Sequence, residues 1–311
     1  MSARRILGLL IELGHACASI SGREPCREDG NLLVVLHARK SAVALESFHE
    51  QYPERPILLL LTGSDLYADL LRPGLEAQTV LRGLRCASAL IVAQESSLQD
   101  IPDEFRSKAR VVPKSLDMEV PARAVHDFIE EFHIVLASHL RPAKAPLLVL
   151  ESLPLLPADF PIRVWHCGVG EDDSIAAAAE EGTKRWQPHY QWLGALSREE
   201  TLARLAQADL CLNTSRVEGG ANSLCEAIQI GVPCVASDIV PNVGMLGEEH
   251  PGLFPMDDAK ALAGQLQRAA TDPVYLETLR EFTVKRAPLF TRGVERAAWK
   301  AVTDDALAGD L

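Results

Sequence analysis

The chain has 311 residues, a net charge of −12 and 47% hydrophobic residues, which is enough sequence for two domains of ordinary size. The negative charge argues against an electrostatic nucleic-acid surface, and no apolar run reaches the roughly 18 residues of a membrane span. The seven cysteines show no metal-ligand or disulfide-framework spacing and are typical of buried thiols in a reducing compartment. We therefore expect a cytoplasmic protein without a metal site.

Short apolar segments alternate with longer amphipathic ones, a pattern typical of parallel sheets covered on both faces by helices. The predicted strands are 32–36, 57–61, 89–93, 110–112, 134–137, 162–166, 210–213, 234–236 and 253–254. The predicted helices include 3–13, 41–51, 75–86, 174–186, 198–207, 224–230, 259–270 and 292–304. The fold class is therefore α/β, with two Rossmann-like, doubly wound domains that face each other across a cleft.

The charged segment 117–132 contains Pro121 and separates two such series of strands and helices. We predict an N-terminal domain over 1–125, a second domain over 126–290 and a C-terminal helix over 291–311. The chain opens with a helix, followed by a weak strand near 17–20. A doubly wound domain normally opens with a strand, so we expect the first domain to lack that strand and its Gly-rich loop and to be the weaker domain. Because the first strand is usually central, its loss would open a gap in the sheet that the neighbouring strands must close or that leaves buried amides unpaired.

The most informative segment is 215–227, where the strand 210–213 leads through a Gly-rich turn into a helix. The free N–H groups and the macrodipole of a helix N-terminus favour an anion such as a phosphate. Gly219 and Gly220 allow the backbone to approach a ligand closely, and Ser223 is a candidate N-cap or phosphate donor. A strand, turn and helix in this order therefore predict a phosphate site.

Two glutamates, Glu218 and Glu226, flank this turn. Carboxylates repel phosphate, but they accept hydrogen bonds from hydroxyl groups. A sugar nucleotide carries hydroxyl groups on both sides of its diphosphate, so this pair favours a sugar-nucleotide ligand. The alternative is an ordinary strand–turn–helix unit with two surface carboxylates.

Three other polar clusters follow predicted strands, where ligands bind in open α/β sheets. Arg141 and Lys144 lie just before a helix predicted to start near Pro146, and they are suited to neutralise a diphosphate. The alternative for this pair is a solvated basic loop. Asn242 follows the strand 234–236 and either reaches the cleft or caps a loop.

The other two clusters lie in the first domain. His37, Arg39 and Lys40 follow the first strand, and the basic pair suits an anionic acceptor; the residues of Thr62-Gly63-Ser64-Asp65 follow the second strand. The alternative for His37 is a structural histidine, and the alternative for Arg39 and Lys40 is a solvated face. The segment 62–65 could be a simple turn, since Asp is a common turn and cap residue. We take His37, Arg39, Lys40, Thr62, Gly63 and Asp65 as acceptor-side candidates.

The segment from Glu218 to Glu226, with the helix-to-strand turn 231–237, resembles the Glu-x7-Glu motif of retaining, nucleotide-sugar-dependent glycosyltransferases of the GT-B fold. The resemblance implies that Glu218 faces the donor sugar, that Glu226 binds the ribose and that the final helix crosses back to the first domain. It further implies catalytic roles for Glu218, Arg141 and Lys144. The implied donor-binding residues are Gly219, Gly220, Ala221, Asn222, Ser223, Leu224 and Glu226.

Five segments, 36–41, 61–67, 139–144, 216–222 and 242–248, are together similar to the selenosugar synthases of selenoneine biosynthesis. This likeness implies that a UDP-sugar, such as UDP-N-acetylglucosamine, and selenophosphate give a 1-selenosugar, with no cofactor. It also implies small-molecule partners and a functional link to selenophosphate-producing enzymes. Ser138 and His139 replace the Gly and Arg of the broader family's loop, and Arg141 is displaced from the usual arginine position.

Three other functions fit the same sequence. One is a glycosyltransferase with a hydroxyl acceptor, and a second is a UDP-sugar 2-epimerase of the same fold. The third is a protein that binds a sugar nucleotide without catalysis, which the missing first strand favours.

Overall fold

The computed structural model of the protein describes residues 2–116, 118–124 and 131–311. Within these ranges no helix is long and apolar enough to cross a membrane. The principal elements in chain order are α1 (Ser2–Glu12), β1 (Leu33–Leu36), α2 (Ala42–Gln51), β2 (Ile57–Leu60), α3 (Leu75–Cys86), β3 (Ala89–Val92), β4 (Ala109–Val111), β5 (Phe132–Ala137), α4 (Leu148–Ser152), β6 (Ile162–Cys167), α5 (Asp173–Arg185), β7 (Tyr190–Trp192), α6 (Arg198–Ala206), β8 (Leu210–Asn213), α7 (Asn222–Ile230), β9 (Cys234–Ser237), α8 (Val240–Leu246), β10 (Leu253–Phe254), α9 (Ala259–Thr271), α10 (Pro273–Lys285) and α11 (Arg292–Ala308).

The chain forms two compact units. The first contains Met1–Asp117, Glu218–Gly220 and Thr291–Leu311, and the second contains Met118–Val217 and Ala221–Phe290. The predicted boundary between residues 125 and 126 lies outside the described residues. The short segment Glu218–Gly220 groups with the first unit, whereas the predicted second domain included it.

The first unit is built on a parallel sheet with the strand order β1-β2-β3-β4. Alternate residues of β2 enter different cores, because side chains of a strand point to opposite faces. Leu59 packs with Phe48 of α2 and Leu84 of α3, whereas Leu58 packs with Leu9 of α1 and Trp299 of α11. Helices therefore cover both faces of the sheet, as the continuous apolar runs predicted.

One prediction about the start of the first unit is wrong. No strand forms near 17–20, which is irregular. The four described strands pair consecutively, so no gap opens in the middle of the sheet. Instead β1 is an edge strand among the described elements, and a cavity of about 680 Å³ lies beside it, lined in part by α1. The edge position explains why most of β1 is only half-buried.

The second unit contains a six-stranded parallel sheet with the strand order β10-β9-β8-β5-β6-β7. Strands β6 and β7 follow β5 on one side of the sheet, and strands β8, β9 and β10 lie on its other side. The topological switch point therefore lies between β5 and β8. On one face Ile134 and Leu212 pack with Leu262 and Leu266 of α9. This doubly wound topology places ligands beyond the carboxyl ends of the strands at the switch point.

Candidate functional site

The candidate site of the second unit lies where β5 and β8 end. Leu136 of β5 pairs with Leu212 of β8, so the loop 138–144 after β5 and the segment 214–217 after β8 leave the sheet side by side. Backbone N–H groups of Arg216 and Val217 both donate to the Ala143 carbonyl, at 2.9 and 3.1 Å. These bonds join the two segments at the position where a doubly wound sheet binds its ligand.

Helix α7 begins here with an open N-terminus. Ala221 is its N-cap and supplies no side-chain hydrogen bond, so the first-turn N–H groups have no cap side chain as an acceptor. The expectation that Ser223 caps the helix is therefore wrong, because Ser223 lies inside the first turn. Its Oγ accepts a hydrogen bond from Asn213 Nδ2 at 3.5 Å. The N-terminus of α7 is thereby suited to an anion.

Glu226 lies one turn into α7, as predicted, and is only 5% exposed. Arg198, the first residue of α6, places its Nε 3.5 Å from Glu226 Oε1. A buried carboxylate is costly unless it is paired and hydrogen-bonded. Arg198 therefore provides the Glu226 carboxyl with a cationic partner beside the open helix N-terminus.

The loop 138–144 carries two cationic side chains, which are partly exposed. Arg141 Nη1 lies 3.5 Å from Glu171 Oε2, and Lys144 accepts a hydrogen bond at its carbonyl from Thr214 Oγ1 at 3.0 Å. The helix expected from Pro146 begins at Leu148 and is short. Arg141 and Lys144 thus follow β5, at the same end of the sheet as the N-terminus of α7.

Asn242 does not reach solvent, because it is fully buried. Its Nδ2 donates to Asn213 Oδ1 at 3.2 Å and to the Ser237 carbonyl at 3.0 Å. Asn213 Oδ1 also accepts from the Ser215 N–H. Asn242 therefore joins the carboxyl ends of β8 and β9 and holds the segment that leads to α7, which agrees with the loop-cap alternative.

In the first unit, Asp65 organises the loops after β1 and β2. It is fully buried, and its carboxylate accepts hydrogen bonds from the N–H groups of Ala38, Thr62 and Gly63, at 3.2, 2.9 and 3.0 Å. Burial raises the pKa of Asp65, and these hydrogen bonds act in the opposite direction. Asp65 is therefore a fixed positioning group at the centre of the acceptor-side cluster.

His37 lies beside Asp65 in a left-handed backbone conformation, with φ of 71°. Its Nδ1 accepts from the Lys40 N–H at 3.4 Å, so Nε2 carries the proton and donates to Ser64 Oγ at 2.9 Å. Burial lowers the pKa of His37 below its usual value. The neutral imidazole joins the same two loops that Asp65 joins.

The two residues of the predicted basic pair, Arg39 and Lys40, have different environments in the structure. Arg39 Nε donates to Asp69 Oδ2 at 2.8 Å, and the Asp69 carboxylate raises the pKa of Arg39. Lys40 is exposed. The positive charge of Arg39 is therefore partly compensated, and Lys40 is the more accessible cation of the two.

The segment Glu218–Gly220 contacts the turn at Thr62–Gly63 very closely. A Cβ at Gly63 would lie 2.2 Å from the Glu218 carbonyl carbon, and a Cβ at Gly219 would lie 2.3 Å from the Thr62 carbonyl carbon. Lys114 Nζ donates to the Gly220 carbonyl. Only glycine fits at both positions, so these residues place the backbone of Glu218, which is 8% exposed.

Several of these residues were not predicted from the sequence. They are Arg198, Asn213, Ser237, Asp69 and Lys114, together with His166 and Tyr190, which bond to each other at 2.7 Å beside the start of the loop 138–144. Asn213, Ser237 and His166 lie at or next to the carboxyl ends of their strands, and that position was the signal that could have found them. Arg198 follows the N-cap Ser197, where a basic residue opposes the helix dipole. This unfavourable position of Arg198 was the signal that it pairs with a carboxylate elsewhere, which is that of Glu226.

Comparison with known proteins agrees with this geometry. Residues 131–272 match the family model described as "Glycosyl transferases group 1", and no curated protein matches the chain. Sucrose-phosphate synthase from Thermosynechococcus elongatus is similar in structure, with a TM-score of 0.73 and 17% identity over 91% of this chain and 75% of that one.

Two further structures are similar at comparable scores. Anabaena HepE in complex with UDP and glucose has a TM-score of 0.70 and 17% identity, over 88% of this chain and 77% of that one. Trehalose-6-phosphate synthase from Burkholderia multivorans has a TM-score of 0.71 and 12% identity, over 89% and 71% of the two chains. These likenesses confirm the α/β class with parallel sheets and the GT-B fold. The structural likenesses show the fold, and the family match over residues 131–272 indicates a glycosyltransferase.

Proposed function

We propose that the protein transfers a sugar from a UDP-sugar to selenophosphate, giving a 1-selenosugar. The observation that carries the donor part is the buried, Arg198-paired Glu226 one turn inside the open N-terminus of α7. N–H groups that can donate hydrogen bonds to a phosphate and a carboxylate that can accept them from ribose hydroxyl groups lie next to each other there, as a nucleoside diphosphate requires. HepE, a structural neighbour, was solved with UDP and glucose, which supports uridine as the nucleoside.

In the proposed donor complex, the diphosphate lies at the N-terminus of α7, near Arg141 and Lys144. Preorganised N–H groups and cations stabilise the negative charge that develops on the departing UDP, and removal of one such contact typically costs about 3–4 kcal/mol of the barrier. Glu226 accepts hydrogen bonds from the ribose hydroxyl groups. Glu218 accepts from the donor sugar.

The proposed reaction needs no nucleophile from the protein. Selenium donates an electron pair to the anomeric carbon as the bond from that carbon to the β-phosphate oxygen breaks, and UDP leaves with the electron pair. Water then takes the phosphoryl group from selenium, which leaves the 1-selenosugar and inorganic phosphate. Because the selenium nucleophile is already anionic, a strong general base is unnecessary, in keeping with the neutral, structurally engaged His37.

The selenophosphate assignment rests on the likeness of segments 36–41 and 216–222 to selenosugar synthases. Exposed Lys40 supplies a cation for a small phosphate-bearing acceptor. A glycosyltransferase with a hydroxyl acceptor is the second candidate, and it is favoured by the partial neutralisation of Arg39 by Asp69.

The test is a UDP-release assay with a panel of UDP-sugars, with and without selenophosphate and with simple hydroxyl acceptors. We expect release that depends on selenophosphate and a selenium-containing sugar by mass spectrometry. Release only with hydroxyl acceptors would establish the second candidate. Consumption of donor without any acceptor indicates a 2-epimerase, and UDP binding without turnover indicates a non-catalytic protein.

Gly63→Ala is expected to reduce turnover by more than tenfold, because an alanine Cβ displaces the backbone of Glu218. Gly74→Ala is the matched control. Gly74 also has a positive φ, of 139°, but nothing lies within 4 Å of a Cβ added there. The Gly74→Ala variant therefore measures only the backbone strain of an alanine at positive φ, roughly 1–3 kcal/mol. Steady-state turnover and thermal unfolding of both variants separate crowding from strain. Equal loss of turnover in the two variants would contradict this role for Gly63.

The double variant Arg39→Ala/Lys40→Ala is expected to raise the KM for selenophosphate about tenfold and to leave the KM for the UDP-sugar unchanged. Removal of both cations leaves the buried Asp69 carboxylate unpaired, and that charge repels an anion. Arg72→Ala, which removes an exposed cation of the same unit, is the control. If both Michaelis constants remain at the wild-type values, the basic pair has no role in acceptor binding.

A further inference from the structure

The buried imidazole of His166 lies at the place where strands β5 and β6 separate. His166 is fully buried, and its ring contacts Tyr190 Oη through Nδ1 at 2.7 Å and the Ser138 carbonyl oxygen through Nε2 at 3.1 Å. Ser138 is the first residue of the loop that carries Arg141 and Lys144. A buried polar ring with two well-placed partners is therefore attached to the start of this loop.

The partners determine which nitrogen carries the proton. Nε2 lies 3.1 Å from the Ser138 carbonyl and 3.3 Å from the Ser138 hydroxyl; because a carbonyl oxygen only accepts hydrogen bonds, Nε2 carries the proton when it bonds to the nearer carbonyl. Burial lowers the pKa of His166 to about 4, so the ring is neutral near pH 7 and Nδ1 is an acceptor. Tyr190 Oη therefore donates to Nδ1. By donating to Nδ1, Tyr190 stabilises the tautomer in which His166 holds the Ser138 carbonyl.

The backbone ladder between β5 and β6 changes at Ser138. The Ser138 N–H continues the ladder by donating to the Cys167 carbonyl at 2.9 Å. The next N–H across the ladder, that of Val169, donates instead to His139 Nδ1 at 3.2 Å. Two imidazoles therefore replace backbone partners where the strands part. His139 and Ser138 are also the residues that depart from the Gly and Arg of the resembled family.

Gly168 shows how closely this carbonyl is confined. A Cβ added at Gly168 would lie 1.9 Å from the Ser138 oxygen, so the carbonyl occupies the space of a side chain. Beyond it, Leu140 bonds to the neighbouring loop through both backbone groups: its N–H donates to the Val169 carbonyl, and its carbonyl accepts from Asp172. The direction of the chain at Ser138 thus determines where Arg141 and Lys144 begin.

We propose that His166, in the tautomer that Tyr190 stabilises, is a positioning residue for the diphosphate-binding loop 138–144. It acts through the Ser138 carbonyl and does not contact the substrate. The proposal rests on the proposed function, because it takes Arg141 and Lys144 as contacts of the diphosphate. In this proposal His166 affects the affinity of the second unit for phosphate, and Glu226 separately affects its affinity for the ribose.

The test uses His166→Phe, His166→Gln and Tyr190→Phe in the full chain, with UDP and uridine as ligands in calorimetric titrations. His166→Phe removes the donor to the Ser138 carbonyl. Tyr190→Phe removes the donor to Nδ1, so that Nε2 can instead accept from the Ser138 hydroxyl, 3.3 Å away, and release the carbonyl. Both are expected to weaken UDP roughly tenfold, the scale of one hydrogen bond. Uridine, which lacks phosphates, keeps its affinity. Gln, whose amide nitrogen can reach the position of Nε2, restores most of the UDP affinity.

Tyr275→Phe is the matched control, since it removes a hydroxyl that is also buried and bonded to a carbonyl, that of Pro251, at 2.8 Å. It reports the general cost to stability and is expected to leave UDP affinity unchanged. Parallel losses of UDP and uridine affinity, or unchanged UDP affinity in His166→Phe, would overturn the proposal.

Hydrogen exchange separates this proposal from the proposed function. We expect faster exchange of the Leu140 and Lys144 amides in His166→Phe and Tyr190→Phe, but not in Tyr275→Phe. Faster exchange in a protein that binds no UDP would retain the positioning role and reject the nucleotide ligand. Unchanged exchange at these amides would reject the positioning role itself.

Discussion

Glu218→Gln is expected to lower the turnover of UDP-sugar by about two orders of magnitude and to leave UDP affinity nearly unchanged. The substitution keeps the shape of the side chain and removes its charge. Glu218 precedes the phosphate-binding turn, and in the proposed complex it faces the sugar. Electrostatic groups aimed at developing charge typically contribute about 10²–10³ in rate. Steady-state kinetics and calorimetry with UDP measure the two effects separately.

Glu104→Gln provides the control for Glu218→Gln, since it neutralises an exposed carboxylate in the same unit. It is expected to behave as the wild type in both measurements. If Glu218→Gln lost UDP affinity and turnover to the same degree, Glu218 would be a nucleotide contact, and its assignment to the sugar would be wrong.

Glu226→Ala is expected to weaken UDP binding itself by ten- to a hundredfold. Two ribose hydroxyl groups lose a charged acceptor, and hydrogen bonds to charged groups contribute roughly 1.5–3 kcal/mol. The substitution also leaves the partly buried Arg198 without its carboxylate partner. Calorimetric titration with UDP measures the loss.

Two further variants sharpen this prediction. Glu226→Gln keeps one acceptor oxygen and loses the charge, so its affinity should lie between those of the wild type and Glu226→Ala. Glu180→Ala removes an exposed carboxylate from α5 and should bind UDP normally. An unaltered dissociation constant for Glu226→Ala would exclude the ribose assignment.

The parts of the fold that depend on local pattern could be predicted from the sequence. The continuous apolar runs predicted β8 and β10 with their observed bounds, because a strand buried on both faces needs such a run. The amphipathic pattern predicted α3 from Leu75 to Cys86. The position of Glu226 inside α7 followed from the glycines of the turn and the apolar residues after it.

Other parts depend on contacts that are distant along the chain. The strand β7, Tyr190–Trp192, has a glutamine between two aromatic residues and no continuous apolar run. The local sequence therefore did not predict this strand, which forms by pairing with β6. The edge position of β1 depends on which strands pair, and that is decided by the whole sheet. The expectation of a central gap assumed a strand order that the first unit does not have.

The site shows the same division. Arg141, Lys144 and Glu226 have the charge that a sugar nucleotide requires, so residue type was enough to propose them. Arg198 and His166 act through partners 28 residues away in sequence, and only the packing of neighbouring elements brings these pairs together. Asp65 was proposed from its charge, but the structure places its carboxylate on three backbone N–H groups.

The central claim is that the second unit binds a nucleoside diphosphate at the switch point between β5 and β8. A crystal structure of the full chain with UDP tests it most directly. We expect the diphosphate at the first-turn N–H groups of α7, near Arg141 and Lys144, with the ribose hydroxyl groups on the Glu226 carboxylate. A structure at saturating UDP with the nucleotide bound elsewhere, or with this site empty, would contradict the account.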